Sequence, residues 1–300
     1  VSNTRFTNFA NAAGCPASAG PPLPCLRSKT TAVLQRANYE VGQLAGSGMW
    51  YFIPVTDADE YITALPSLVL RPEHPVNGRR LLVGNNAHEG APFVPTSIAT
   101  EADLLAWLSV EFPTLASTES TRRTILAQYP LTQTMADQYT RASQIYAEAH
   151  FVCPSYWLAD AFTSPSSSSN PSAKSAFHYQ YSVPYASHGL DMGAVFGPAG
   201  PYRSPDVVAA MHHAWGQMVT DGEPGQGIPV WQVGRDAKQT DFDQTGGQAV
   251  VVQASWGLNV TQYMGPGLEP NIRVVDAWTW EDGRGARCEF WRGLGREIEE

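Results

Sequence analysis

The sequence predicts an α/β fold. Short β-rich runs alternate along it with longer stretches of helical periodicity, and no internal repeat interrupts the alternation. The alternation is clearest from the apolar run at 81–83, through helical segments at 100–112, 118–129, 133–150 and 151–163, to the aromatic run at 177–183 and a helix at 204–220. Size and composition agree. The 300 residues are 43% hydrophobic, 11% aromatic and 16% charged, which suits one large core.

Taken in order, residues 1–30 are rich in small residues, contain Pro21-Pro22, and carry Cys15 and Cys25. A close cysteine pair inside a Gly/Pro-rich stretch predicts a disulfide-closed surface loop. Residues 28–45 read as a helix ending near Gly46-Ser47-Gly48, and Trp50-Tyr51-Phe52-Ile53-Pro54-Val55 reads as extended, with Pro54 excluding a central strand. The strand at 81–85 follows. Thr100 and Asp103 form a capping-box pattern ahead of Leu104, Leu108 and Phe112, and Pro113 stops that helix. Ser164 to Lys174 is low-complexity and reads as an exposed loop, and Phe177 to Val183 as a core strand. For 204–220, Ser204 is the expected cap, Pro205 suits the first position and Gly222 follows the end; Val208, Met211, Trp215 and Met218 form one apolar face. Short β runs are expected at 249–252 and 271–275, and a glycine-interrupted terminal helix at 276–298.

Several function classes are excluded by charge and motif content. A net charge of -9 with 19 basic residues argues against nucleic acid, and no apolar run approaches the roughly 18 residues of a membrane span. There is no C-x-x-C, no G-x-G-x-x-G, no P-loop and no H-E-x-x-H, since Pro92 follows His88-Glu89 at the last position. His212 and His213 are adjacent on a helix and point about 100° apart, a poor pair of ligands. No metal and no cofactor are therefore expected. Four cysteines in even number point to two disulfides and an oxidising compartment, against the alternative of four reduced buried thiols. Cys153 and Cys288 would then pair and tie the C-terminal helix to the body. With the sequon Asn259-Val260-Thr261, a glycosylation acceptor, the cysteines favour a secreted protein. The chain starts at Val1, with neither an initiator Met nor a signal peptide, and reads as a processed product or a fragment.

Two places carry chemistry. In Leu81-Leu82-Val83-Gly84-Asn85-Asn86-Ala87-His88-Glu89-Gly90, a carboxylate stands just past a buried strand, where ligands bind in open α/β sheets. About a hundred residues later, Tyr185-Ala186-Ser187-His188-Gly189-Leu190-Asp191 follows the next core strand. A histidine titrates near neutrality and a carboxylate fixes its tautomer, so Glu89 and His188 read as the acid and base of a serine hydrolase, in the order Ser…Glu…His. Asp191 is the next candidate for the acid. Trp50, Tyr51, Phe93 and Trp107 are candidates for an acyl pocket, with core packing as the competing role.

Beyond these two segments, Gly14-Cys15 through Cys25-Leu26-Arg27, Phe52-Ile53-Pro54-Val55 with Asp57-Ala58, and Pro229-Val230-Trp231 fit one pattern. Together with Val83 to Gly90 and His188 through Val195-Phe196-Gly197, they make the chain resemble the type-B carboxylesterase/lipase family, the cholinesterase-like α/β-hydrolases, especially fungal secreted members. The resemblance extends over all 300 residues. It departs from the family at His88, where Asn or Asp is commoner, at Ala58 and at Gln232. It implies the C-terminal portion of an α/β-hydrolase fold, with a central, mostly parallel sheet flanked by helices, and a single domain over 1–300 that is incomplete without upstream sequence. It also implies that Cys15 and Cys25 close a family disulfide loop, and that a Ser-Glu-His carboxylesterase acts on an ester substrate through an acyl-enzyme. The serine would sit in a Gly-x-Ser-x-Gly elbow, which occurs nowhere in the chain. Gly46-Ser47-Gly48 is the nearest approach, but Ala45 and Met49 break the pattern and a turn explains it better. The nucleophile is expected on an N-terminal polypeptide of the same precursor. The alternative is a non-catalytic cholinesterase-like binding or adhesion module, and a hydrolase using Ser47 is a third account.

Overall fold

The run Ala176-Phe177-His178-Tyr179-Gln180-Tyr181 is buried at every position, the mark of a strand covered on both faces. It lies inside the sheet. The computed structural model describes residues 2–45, 50–56, 61–74, 76–113, 115–133, 135–163, 174–225 and 227–295. Among them, β1 (Arg80–Asn86), β2 (Ser175–Tyr181), β3 (Lys238–Gln253) and β4 (Asn259–Asp276) form one four-stranded sheet in that order. β1 and β2 pair in parallel from Arg80 opposite Ser175 to Asn86 opposite Tyr181. β2 and β3 are also parallel, with Tyr181 opposite Phe242. β4 returns antiparallel to β3. The outer edge of β1 pairs with no strand among the described residues.

Helices α1 (Ser2–Ala12), α2 (Pro22–Arg27), α3 (Thr31–Gly42) and α4 (Pro66–Val69) precede β1. The parallel pairings require crossovers. The first holds α5 (Glu101–Glu111), α6 (Glu119–Ala127), α7 (Gln138–Ala147) and α8 (Cys153–Phe162); the second holds α9 (Met192–Val195) and α10 (Pro205–Asp221). α11 (Trp280–Leu294) follows β4. Alternation along β2 divides the core: Phe177, Tyr179 and Tyr181 pack with Leu82 and with Val207, Val208 and Met211 of α10. Ala176 faces a larger cluster built from α5, α7, α8 and α11. No described helix is long and apolar enough to cross a membrane.

Local signals were followed where they were strong. Thr100 Oγ1 accepts the Asp103 N–H at 3.2 Å while the Asp103 carboxylate accepts the Thr100 N–H at 2.9 Å, completing the capping box of α5. Gly222 ends α10 with φ 75°. Ser204 departs from expectation. It occupies the cap position but makes no side-chain capping bond, and its N–H goes instead to Gln244 Oε1 at 2.8 Å, tying α10 to β3.

Three other expectations gain detail. Residues 2–27 around the disulfide loop are mostly helical, because Ala10, Ala13, Cys15 and Leu26 bury together with Ala37 of α3 in a small separate core. The segment 50–55 joins no strand in the sheet. The two short β runs belong to strands of 16 and 18 residues. At the Gly246 to Gln248 register shift of this hairpin, a Cβ on Gly246 would meet the Gly267 carbonyl oxygen at 2.1 Å, so only glycine fits. Gly46-Ser47-Gly48, Asp57-Ala58 and nearly all of the 164–174 loop lie outside the described residues.

The terminal helix is docked by charge and by a covalent bond. Glu148 opens a π-helical turn, Glu148–Val152, between α7 and α8, and is wholly buried. Arg287 of α11 binds its carboxylate in two-pronged fashion at 2.8 and 2.6 Å, and Tyr129 and Gln144 each donate to it at 2.8 Å. Burial pushes the Glu148 carboxyl up, but Arg287 and then Arg284 outweigh that and hold it below its ordinary value. Arg284 also binds Glu281 and Gln180. Glu281 and Asp282 sit in left-handed backbone at φ 46° and 62°, a strain of about 1–3 kcal/mol each that the Glu281 ion pair helps to hold. Cys153 and Cys288 are disulfide-bonded, linking α8 to α11; Cys15 and Cys25 form the second disulfide.

Candidate functional site

Parallel pairing of β1 and β2 does not stop at the strand ends. The Ala87 N–H donates to Tyr181 O at 2.9 Å and the His88 N–H to Ala186 O at 2.8 Å. His88 and Ser187 then form a parallel bridge. One step further along each chain stand Glu89 and His188, so register alone brings them side by side. Gly90 lets this loop lie against α7: a Cβ there would meet the Ser143 carbonyl oxygen at 2.0 Å and the Ala147 nitrogen at 3.0 Å. The Tyr139 hydroxyl of α7 holds the same loop through Ala91 O at 2.7 Å. Gly90→Ala is expected to lower unfolding free energy by about 1–3 kcal/mol through overpacking, read by urea denaturation. An unchanged midpoint would mean that α7 yields without cost.

His188 Nδ1 lies 2.6 Å from Glu89 Oε2. A carboxylate only accepts, so Nδ1 is the donor and the neutral ring carries its lone pair at Nε2. Nε2 makes no hydrogen bond among the described residues. The Glu89 side chain is 6% exposed and that of His188 45%, an acid sealed inside and a base opening outward. The hydrogen bond to Glu89 raises the His188 pKa; burial opposes this, and the charges of Glu89 and Asp191 add to the rise. The rings of Phe151 and Phe93 lie 4.6 and 5.2 Å from the imidazole, flanking it with apolar surface.

The other candidates separate by position. Asp191 does not take the imidazole: Tyr179 donates to one carboxylate oxygen at 2.9 Å and Asn86 to the other at 3.1 Å. Of the four aromatics considered for a pocket, Phe93 alone reaches His188; Trp107 is core, Trp50 is exposed and Tyr51 packs on Phe52. His88 stacks on Tyr185 at 4.2 Å. His212 and His213 are both exposed on α10, and among the described residues no group of three or more His, Cys, Asp or Glu could hold a metal ion. Asn259 is exposed at the start of β4.

A second Ser–His contact exists, between Ser155 and His178 at 2.9 Å. It is sealed in the core, burial pushes His178 down to about 3, and Gln239 rather than a carboxylate stands beside the ring. That arrangement packs; it does not meet a substrate. Two residues of the site escaped sequence reading. Asn86 lies one residue past the strand expected at 81–85 yet belongs to β1, and Phe151 is aimed by the π-helical turn, which apolar spacing alone does not reveal.

Comparison with known proteins gives a family and a fold. A model of the carboxylesterase family matches residues 2–248. No curated protein matches the chain. Among solved structures, EstA of Aspergillus niger superposes with a TM-score of 0.65 at 18% identity, covering 99% of this chain and 56% of that one. A PNB esterase superposes with a TM-score of 0.56 at 17% identity, covering 81% and 50%. A thermophilic PNB esterase gives 0.54 at 18% identity, covering 80% and 49%. At these identities the likeness is one of fold, the α/β-hydrolase sheet and its flanking helices. The chain spans about half the length of these structures.

Proposed function

Because this chain belongs to the carboxylesterase family, we propose that it forms part of a serine carboxylesterase whose acid and base are Glu89 and His188. The observation that carries the reading is the 2.6 Å bond from His188 Nδ1 to the sealed Glu89 carboxylate, with Nε2 making no hydrogen bond among the described residues. In the proposed reaction Nε2 takes the proton of a serine hydroxyl as its oxygen attacks the ester carbonyl. The imidazolium, steadied by Glu89, then returns that proton to the departing alcohol. Water then attacks the acyl carbonyl as His188 takes one of its protons, the bond to the serine oxygen breaks, and that oxygen takes the proton back from His188 as the acid leaves. No metal or cofactor is needed for these steps.

The serine belongs on polypeptide outside these 300 residues, in the same precursor. Two features support this: no Gly-x-Ser-x-Gly occurs in the sequence, and the outer edge of β1, which pairs with no strand among the described residues, offers a seat for further strands of the sheet. On this reading residues 1–300 are part of one α/β-hydrolase domain. The two disulfides and the exposed sequon at Asn259 are compatible with a secreted, glycosylated protein.

Reaction of the native protein with a fluorophosphonate, read by intact mass and peptide mapping, tests the assignment. The expected adduct is on a serine outside residues 1–300, and His188→Ala abolishes it. An adduct on Ser47 or another serine of this chain would overturn the placement of the nucleophile. No adduct at all would make a non-catalytic binding or adhesion module the better account.

A further inference from the structure

The triad reading leaves one buried side chain beside Glu89 unexplained. Asn86 is 3% exposed and spends its backbone N–H and both polar atoms of its side chain on the two loops that carry the acid and the base. Its backbone N–H donates to Glu89 Oε1 at 2.6 Å, and its Nδ2 donates to the same oxygen at 3.2 Å. Nδ2 also donates to Asp191 Oδ1 at 3.1 Å, while its Oδ1 accepts the Asp191 N–H at 3.1 Å. Asp191 lies three residues past His188, and 105 residues separate it from Asn86. One carboxamide therefore grips the far oxygen of the acid and the loop of the base together.

We propose that Asn86 is a positioning residue: it fixes Glu89 on His188 and holds Asp191 away from it. Two carboxylates act electrostatically on the imidazole, Glu89 and Asp191, and with two available a histidine has two possible partners. Amide donors at Asn86 and the Tyr179 hydroxyl occupy Asp191. Glu89 keeps one oxygen for the ring and gives the other to Asn86. A neutral side chain with a donor and an acceptor is required here. Leucine, of similar volume, offers neither, and aspartate would set a third carboxylate against two others.

The inference rests on the esterase reading, and the test separates the two. In the native enzyme, kcat, KM and the pH profile are measured with p-nitrophenyl butyrate for wild type, His188→Ala, Asn86→Leu, and Asn86→Leu combined with Asp191→Asn. The titratable groups facing His188 are Glu89 and Asp191, with Tyr179 behind Asp191. Asn86→Leu is expected to lower kcat about 100-fold, the order of loss from small misplacement of a catalytic group, with KM little changed. It should also raise the acid limb of kcat/KM by on the order of half a unit, because both carboxylates lose a donor. Adding Asp191→Asn should return the limb toward wild type and recover part of kcat. A merely structural role would lower the yield of folded enzyme without moving the limb. If Asn86→Leu does not fold, Asn86→Asp carries the test, with a larger upward shift expected. Wild-type kcat and limb in a folded Asn86 variant, with His188→Ala inactive, would overturn the positioning role alone. Activity that survives His188→Ala would overturn the esterase assignment itself.

Discussion

His188→Ala is expected to lower turnover of an activated ester by about six orders of magnitude while the protein stays folded, because removing the base from a serine triad costs on that order. The fold should tolerate the change. The His188 side chain is 45% exposed, and its neighbours Phe93 and Phe151 also pack on Tyr146. Retained near-normal activity in a folded variant would remove His188 from the mechanism. Glu89→Gln should cost about 10⁴ in kcat, the loss seen when a triad acid becomes an amide in a serine protease and the wrong tautomer results. An unchanged rate would move the acid elsewhere, with Asp191 as the remaining candidate.

The two variants are also told apart by pH. Glu89 holds the His188 pKa above its ordinary value, and the ring must be neutral to accept a proton. The acid limb of wild-type kcat/KM is therefore expected above about 6.5, the unperturbed histidine value. Glu89→Gln removes the largest cause of the shift, so the limb of its residual activity moves down, with Asp191 still holding part of the rise. For stability the sign follows from the same shift. A raised folded pKa contributes stability that is full below the unfolded value and is lost as pH rises through the folded one. Thermal melts of His188→Ala and wild type should thus differ most in mild acid and converge at alkaline pH.

Legibility of the sequence divides along physical lines. Glu89 and His188 stood out because each follows an apolar strand within a few residues, so local order carried the information. Asn86 did not, because an asparagine reads as a break unless partners 105 residues away satisfy it. The β3–β4 hairpin was underestimated for a related reason. Gln239, Thr240, Asp241 and Gln244 of β3 are buried polar residues, and Asp241 finds Arg273 of β4 at 2.8 Å only once the hairpin has formed. In the distal half, largely exposed on both strands, the valines of 249–252 announce only a short run, because glycines and polar residues precede it. The N-terminal helices were hidden by small residues and prolines, whose packing around the Cys15–Cys25 disulfide no helical periodicity advertised.

The largest stability effect should come from the Cys153–Cys288 disulfide. Its partners are 135 residues apart, against 10 for Cys15–Cys25. In the chain-entropy account the longer loop contributes about 5 kcal/mol and the shorter about 3. Replacing Cys153 and Cys288 together by Ala is therefore expected to cost about 5 kcal/mol, read from the urea midpoint, with a small added loss from the void left by two buried sulfurs. Three other ties bear on how much of that is realised. Arg287 on Glu148, Trp291 on the Tyr129 hydroxyl at 2.6 Å and the Trp157 indole on Cys288 O at 3.3 Å all hold α11 against the crossover helices. If these ties keep α11 near its native position in the unfolded chain, the loop is already partly closed and the measured loss falls below about 1 kcal/mol. A loss near the full value means that α11 is free in the unfolded chain once the cross-link is gone. The slope of the urea transition distinguishes these accounts. Without the cross-link a more expanded denatured state exposes more surface and the slope rises, whereas residual docking of α11 leaves it where it was.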